Sequence, residues 1–444
     1  MLSKWFKLSP PRILVFGFAA IIMVGALLLM LPIASTTGET LPFVDALFTA
    51  TSATCVTGLI VVDTGTHFTT FGQVVIMLLI QVGGLGFMTM ATLFTFALKR
   101  KISLKDRLVL QEAMNQNSME GIVRLIRKVL MYSLVIESCA ALVYTIRWAF
   151  DMPWGRAIYF GIFHAVAMFN NAGFDLFGGY QSLTMYVGDP IVNFVTMFLI
   201  VAGGIGFIVM SDLIDFRRRR RLSLHSKVVL TMTTTLILIG ALVIFIFEFT
   251  NPKTLEPLSW GVKIWSAFFQ SVTPRTAGAN TLDIAALRQA TQFFMIILMF
   301  IGASPGSTGG GIKTTTFTIL VGAVLSMIRG REDLVLFKYR LAQERIFKAV
   351  TITMLSLFLV IVVSMILSTT EDVSFLSILF EATSAFGTVG LSMGITGKLT
   401  LIGKIIISFT MFAGRLGPLT LAYALGPKKG KELYRYPEGK MIIG

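Results

Sequence analysis

FTATSATCVTG runs from Phe48 to Gly58, FHAVAMFNNAG from Phe163 to Gly173, FFQSVTPRTAG from Phe268 to Gly278, and FEATSAFGTVG from Phe380 to Gly390. Each places a phenylalanine ten residues before a glycine, and the glycines stand 115, 105 and 112 residues apart. One such match carries no information. Four at a near-constant period, each in the same hydropathic setting, mark an internal repeat.

The setting is as regular as the motif. A long apolar stretch precedes each motif, roughly Ile13–Leu31, Val123–Phe150, Val228–Phe249 and Ile346–Ser368, and a second follows it, roughly Val74–Leu98, Ile191–Phe216, Phe293–Ile328 and Leu401–Leu425. Between them lies a helical stretch too short to cross about 30 Å of hydrocarbon, which suits a re-entrant helix. The sequence therefore predicts an all-α integral membrane protein of four helix–pore-helix–helix repeats. Eight transmembrane helices and four re-entrant pore loops surround a single central pore. The repeats occupy residues 1–100, 101–222, 223–340, with a broken second helix and a gating loop, and 341–425; a tail covers 426–444.

Composition agrees. Of 444 residues, 55% are hydrophobic and 14% charged, with mean hydropathy +0.80, too little charge to cover a soluble surface. The net charge of +15 does not point to nucleic acid, because of where the cations fall. They cluster at Lys99, Arg100, Lys101, Lys105 and Arg107, at Arg217 to Arg221, from Arg329 to Lys348, and at Lys428 and Lys429. Each cluster follows an apolar span, the positive-inside asymmetry of a polytopic membrane protein. That puts both termini in the cytoplasm and the loops Ser35–Phe43, Asp175–Pro190 and Thr250–Leu258 outside. Cys55 and Cys139 suggest no disulfide framework. The first apolar run is too long for a signal peptide and is expected to be a retained helix.

A re-entrant loop exposes backbone carbonyls at membrane depth, which is tolerated only inside protein or facing water. Four such loops can surround one axis, and a ring of carbonyls replacing a hydration shell is how a cation filter works. The filter residues are then Cys55, Val56, Thr57 and Gly58; Asn170, Asn171, Ala172 and Gly173; Arg275, Thr276, Ala277 and Gly278; and Gly387, Thr388, Val389 and Gly390. The residues just before each glycine suit an extended backbone, and glycine permits the positive φ that turns its carbonyl inward. The plainer alternative is four helix C-caps.

With these motifs in view, the chain resembles the Trk/Ktr/HKT superfamily of potassium transporters over essentially its whole length, most closely the KtrB type. The resemblance implies one glycine per filter loop. In that family a serine in place of the first-repeat glycine goes with Na⁺ permeation; here all four positions are glycine, as in K⁺-selective members. It also implies a homodimer seated on a cytosolic nucleotide-binding ring of the RCK (KtrA-like) type, with ATP or ADP bound only on that partner. Activation by Na⁺ is implied too, with no site that can be placed here. No covalent cofactor is expected.

The second helices carry Gly83-Gly84-Leu85-Gly86-Phe87, Gly203-Gly204-Ile205-Gly206-Phe207, Ala303-Ser304-Pro305-Gly306-Ser307 and Gly414-Arg415-Leu416-Gly417-Pro418. In the first two repeats small residues that let helices approach closely explain the pattern. The third is different: Gly302, Ala303, Ser304, Pro305, Gly306, Ser307, Thr308, Gly309, Gly310, Gly311, Ile312, Lys313, Thr314, Thr315 and Thr316 interrupt an apolar helix that cannot continue through Pro305 and so many glycines. It is not a phosphate-binding loop, since Ile312 stands where the lysine should follow Gly311. Flexible backbone just inside the filter is expected to be a gate, and the resemblance implies a mobile loop here.

Arg415, an intramembrane charge, is expected to set a barrier to a permeating cation, against the alternative of pairing with carbonyls of a broken helix. Glu137 and Glu381 are expected at helix contacts or the pore mouth. His67, His164 and His225 lack metal-ligand spacing, and no acid–base pair suggests an enzyme. The leading expectation is therefore K⁺ uptake through the pore. The alternative is a Na⁺- or H⁺-coupled secondary transporter, which would need intramembrane carboxylate pairs and inverted repeats.

Overall fold

The computed structural model describes residues 10–86, 89, 108 and 122–425. The basic residues Lys99, Arg100, Lys101, Lys105, Arg107, Lys428 and Lys429, Phe87, the end of the predicted helix Val74–Leu98 and the tail 426–444 lie outside the described residues.

The helices α1 (Pro10–Leu29), α4 (Ile122–Trp148), α8 (Leu224–Glu248) and α12 (Gln343–Thr370) are long and apolar enough to cross a membrane, at 1.5 Å per residue. About a third or less of each is buried. Leu134, Leu242 and Phe358 are among the side chains they expose, while Glu137 on α4 and Glu248 on α8 are buried. Apolar groups outside and polar groups inside is the distribution a hydrocarbon solvent selects.

Four shorter helices end at the repeated motifs: α2 (Phe43–Thr54), α5 (Trp154–Phe169), α9 (Trp260–Val272) and α13 (Phe375–Gly387). After each motif the chain enters another apolar helix: α3 (Thr70–Leu85), α6 (Pro190–Gly204), α10 (Gln289–Phe300) and α14 (Leu401–Leu416). Side-chain caps start three of these. Thr69 accepts from Gly72 N, Asp189 from Ile191 N and Val192 N, and Thr400 from Gly403 N, satisfying donors a helix start leaves open. Packing runs in a cycle: α3 touches α5, α6 touches α9, α10 touches α13, and α14 returns to α2.

The predicted second helices are not continuous. Gly86, Gly206 and Gly417 have φ of 84°, 92° and 84° with ψ of 132°, 143° and 136°, a region that essentially only glycine visits. After Gly206 the chain resumes as α7 (Phe207–Arg219), bent 101° from α6, and after Gly417 as α15 (Pro418–Leu425), bent 94° from α14. In the third repeat α10 stops at Phe300 and α11 (Thr314–Ile328) begins after a non-helical segment. Hydropathy missed the other breaks because apolar residues continue through them. Close packing accounts for the first glycine of each set: a Cβ on Gly83, Gly203 or Gly414 would strike the carbonyl of Thr54, Phe169 or Phe386, at the end of α2, α5 or α13.

Candidate functional site: a ring of four loops above a broken-helix floor

Each short helix ends by placing a residue in the left-handed region two positions before the repeated glycine. These are Val56 (φ 59°), Asn171 (φ 60°), Thr276 (φ 72°) and Thr388 (φ 49°). The expected extended backbone is therefore replaced by a turn at that position. In the first loop Val56 N donates to Ala53 O and Thr57 N to Ser52 O; Asn171 with Met168 and Ala172 with Ala167 do the same in the second, and Thr388 with Ala385 and Val389 with Ser384 in the fourth. This pair of bonds is the Schellman helix ending. In the third loop Ala277 N donates to Thr273 O instead. In the first, second and fourth loops the C-cap explanation of the glycines thus fails, because the left-handed residue that closes the helix end is Val56, Asn171 or Thr388, not the glycine. For β-branched Val56, Thr276 and Thr388 the left-handed backbone is strained.

The glycines follow, with φ of 91° at Gly58, 66° at Gly173, 77° at Gly278 and 91° at Gly390. What surrounds them closes a circle. A Cβ on Gly58 would meet the carbonyl of Ala172, on Gly173 that of Ala277, on Gly278 that of Val389, and on Gly390 that of Thr57. The same four positions would stand 3.3, 3.0, 3.1 and 3.0 Å from the Cα of the next glycine in the circle. The loops therefore meet in chain order around one axis, backbone against backbone, with no room for any side chain.

The remaining residues expected here lie at the helix ends. Cys55 is the buried C-cap of α2. Asn170 caps α5, and its Nδ2 donates to Gln81 Oε1 (2.7 Å), Glu137 Oε1 (3.2 Å) and Val166 O. Arg275 turns its guanidinium away, donating to Gly302 O at 3.4 Å. Gly387 is the last residue of α13.

Beneath the ring lies the segment between α10 and α11. Its expected members Thr314, Thr315 and Thr316 form the first turn of α11, with Lys313 as N-cap, so the non-helical part ends one residue before Thr314. It is pinned from several sides. Ser304 N and Thr308 N donate to Gly204 O and Gly203 O, at 3.0 and 3.3 Å, and Phe207 N donates to Gly306 O at 2.9 Å. Gly310 N donates to Thr388 Oγ1 at 3.0 Å, so the strained residue of the fourth loop touches this segment directly. A Cβ on Gly309 would strike Thr276 Oγ1, the strained residue of the third. Asn171 lies with its side-chain amide 3.2 Å from Thr276 Oγ1.

Two cations complete this level. Arg415, one residue past Gly414, donates to Thr308 O in the crossing segment and to Gly83 O and Gly84 O (3.1 Å) in the last turn of α3. It satisfies carbonyls that a helix end leaves open while holding a positive charge under the ring. Lys313 Nζ donates to Gly309 O at 2.6 Å and Gly310 O at 3.3 Å. Below them a cavity of about 290 Å³ is lined by Gly84, Gly86, Gly306, Lys313, Arg415 and Gly417, among others.

The two acidic residues expected at helix contacts or the pore mouth both support the loops. Glu137, on α4, accepts from Gln81, Asn170 and Ser133, so it braces the second loop's helix end. Glu381, on α13, accepts from Ser392 and Thr396 and folds the chain after Gly390 back onto its own helix. Among the described residues no group of three or more His, Cys, Asp or Glu side chains could hold a metal ion.

Comparison with known proteins gives this architecture a class. The family model described as "TrkH: Cation transport protein" matches residues 14–427, and the chain belongs to that family of cation transporters, which are not enzymes. Two relatives match along nearly their full length. The "Ktr system potassium uptake protein B" of Bacillus subtilis is 47% identical over 99% of this chain and 98% of its own. The "Potassium/sodium uptake protein NtpJ" of Enterococcus hirae is 41% identical over 99% of this chain and 98% of its own. Among solved structures, the potassium transporter TrkH from Vibrio parahaemolyticus matches with TM-score 0.73 and 18% identity, covering 95% of this chain and 86% of that one; that likeness shows the shared fold.

Proposed function

We propose that this chain is the membrane subunit of a K⁺ uptake system, and that its four loops form the selectivity filter through the carbonyls of residues 55–58, 170–173, 275–278 and 387–390. The single observation that carries this reading is the closed circle of glycine against carbonyl. The relatives named for potassium uptake support K⁺ as the ion. A cation entering an inside-negative cell gains about 2.3 kcal/mol per charge per 100 mV, which suffices to drive uptake.

In this reading the segment from Gly302 to Lys313, with the first turn of α11, is the gate, and Arg415 is the barrier beneath the filter. The chain forms eight spans in four repeats with the boundaries given above, and both termini are cytoplasmic. It works as a homodimer on a nucleotide-binding RCK-type ring and is activated by Na⁺; these last points rest on the family resemblance. The test is uptake in a bacterial strain lacking its own K⁺ systems, with both K⁺ and Na⁺ counted. Wild type should restore growth at low K⁺, and collapsing the membrane potential should stop uptake. If it moves neither ion with its cytosolic partner co-expressed, the reading is wrong.

A further inference from the structure

The four loops are not equally supported from behind. Gly58 N donates to Ser52 Oγ at 3.0 Å, and Gly390 N donates to Ser384 Oγ at 3.1 Å. Both serines lie fully buried on the short helices α2 and α13, six residues before their glycine. At the matching positions of α5 and α9 stand Ala167 and Val272, which have no hydroxyl to offer.

The consequence follows from peptide geometry. In a trans peptide the N–H and the C=O of one unit point in opposite directions. Anchoring Gly58 N–H backward to the helix turns the Thr57 carbonyl forward, and Thr57 O indeed lies against Gly390. Anchoring Gly390 N–H likewise turns the Val389 carbonyl forward, against Gly278. Flipping either peptide would break the anchor and leave a buried N–H without a partner. The carbonyls of Ala172 and Ala277 have no such side-chain anchor behind them.

We propose that Ser52 and Ser384 are positioning residues for ion selection: their hydroxyls lock the Thr57 and Val389 carbonyls toward the axis, making the first and fourth loops a pinned half of the ring and the second and third a compliant half. The proposal rests on the filter reading above. Carbonyl oxygens that replace the hydration shell set which ion a filter prefers, so freeing two of them to turn should act on selectivity.

The experiment measures initial K⁺ and Na⁺ uptake by the full-length chain with its partner, for wild type, Ser52→Ala, Ser384→Ala, Ser52→Thr and Gly58→Ser. Each alanine variant should lower the K⁺/Na⁺ ratio about tenfold, the weight of one buried hydrogen bond, and Ser52→Thr should keep the wild-type ratio. If an alanine variant does not yield monodisperse protein, cysteine at that position, similar in size and a weaker acceptor, takes its place with the same expectation. Wild-type ratios in both unpinned variants, beside a lowered ratio in Gly58→Ser, would overturn the pin and leave the filter standing. A threonine variant as impaired as alanine would also overturn it, since packing and not the hydroxyl would then be at work. An unchanged ratio in Gly58→Ser would instead remove the filter reading itself.

Discussion

The ring of loops and the floor beneath it are built from the same four stretches of chain, yet only the ring keeps their symmetry. In the ring every loop has a left-handed residue, then a glycine whose missing side chain admits the next loop's carbonyl. In the floor, the second helices of the first, second and fourth repeats end at one glycine each, Gly86, Gly206 and Gly417, while that of the third opens into the segment from Ile301 to Lys313. The holding forces differ too. The ring closes backbone on backbone, whereas the floor is held by backbone bonds to Gly203, Gly204 and Phe207 together with the side chains of Arg415, Lys313 and Thr388. A backbone that repeats four times around one axis suits an ion on that axis, which carbonyls can then reach from every side. An asymmetric one suits control, because a few bonds can be broken without dismantling the ring.

The largest effect expected from this contrast is at the ring glycines. An alanine at Gly173 or Gly278 meets both a left-handed backbone, costing about 1–2 kcal/mol, and a neighbouring carbonyl that cannot retreat. K⁺ uptake should fall about 100-fold, the loss that roughly 3 kcal/mol brings. Retained uptake would mean the loops separate more easily than their packing suggests.

Next comes the floor. Deleting Gly309 to Gly311 removes acceptors for Lys313 and the donor to Thr388, and uptake should rise about tenfold, equivalent to roughly 1.4 kcal/mol of barrier. Unchanged rates in a stable protein would end the gate assignment. Arg415→Ala should increase flux several-fold by removing both the charge and the clasp on Thr308, in keeping with about 1 kcal/mol or more for a charge near the path. An unaltered flux would leave Arg415 as a helix cap alone.

The smallest effect is expected at Gly417, where an added Cβ meets nothing within 4 Å. Gly417→Ala should lower stability by about 1–3 kcal/mol from backbone strain and leave K⁺/Na⁺ preference as in wild type. Thermal unfolding and the uptake ratio, measured together, separate this case from the ring glycines.

Much of this was legible in the sequence, for identifiable reasons. The F-x9-G period located the short helices and glycines because a repeated fold demands the same residue at the same place. The left-handed turn at Val56, Thr276 and Thr388 was not legible, since β-branched residues disfavour it and only Asn171 has any tendency toward it. The breaks at Gly86, Gly206 and Gly417 were hidden by the apolar residues on either side. Arg415 was visible as a charge out of place, and the alternative of pairing with carbonyls of a broken helix describes the bonds it makes to Thr308, Gly83 and Gly84. Ser52 and Ser384 were in view within the shared string ATSA of the first and fourth motifs; their role appears only once the loop folds back on its helix.

The most direct test of the filter is the K⁺/Na⁺ uptake ratio of wild type beside single serine substitutions at Gly58, Gly173, Gly278 and Gly390. The closed ring predicts a preference for K⁺ in wild type and a lowered ratio in every variant, because each glycine borders two loops. A wild-type ratio in any of the four, in folded protein, would contradict a filter shared by all the loops.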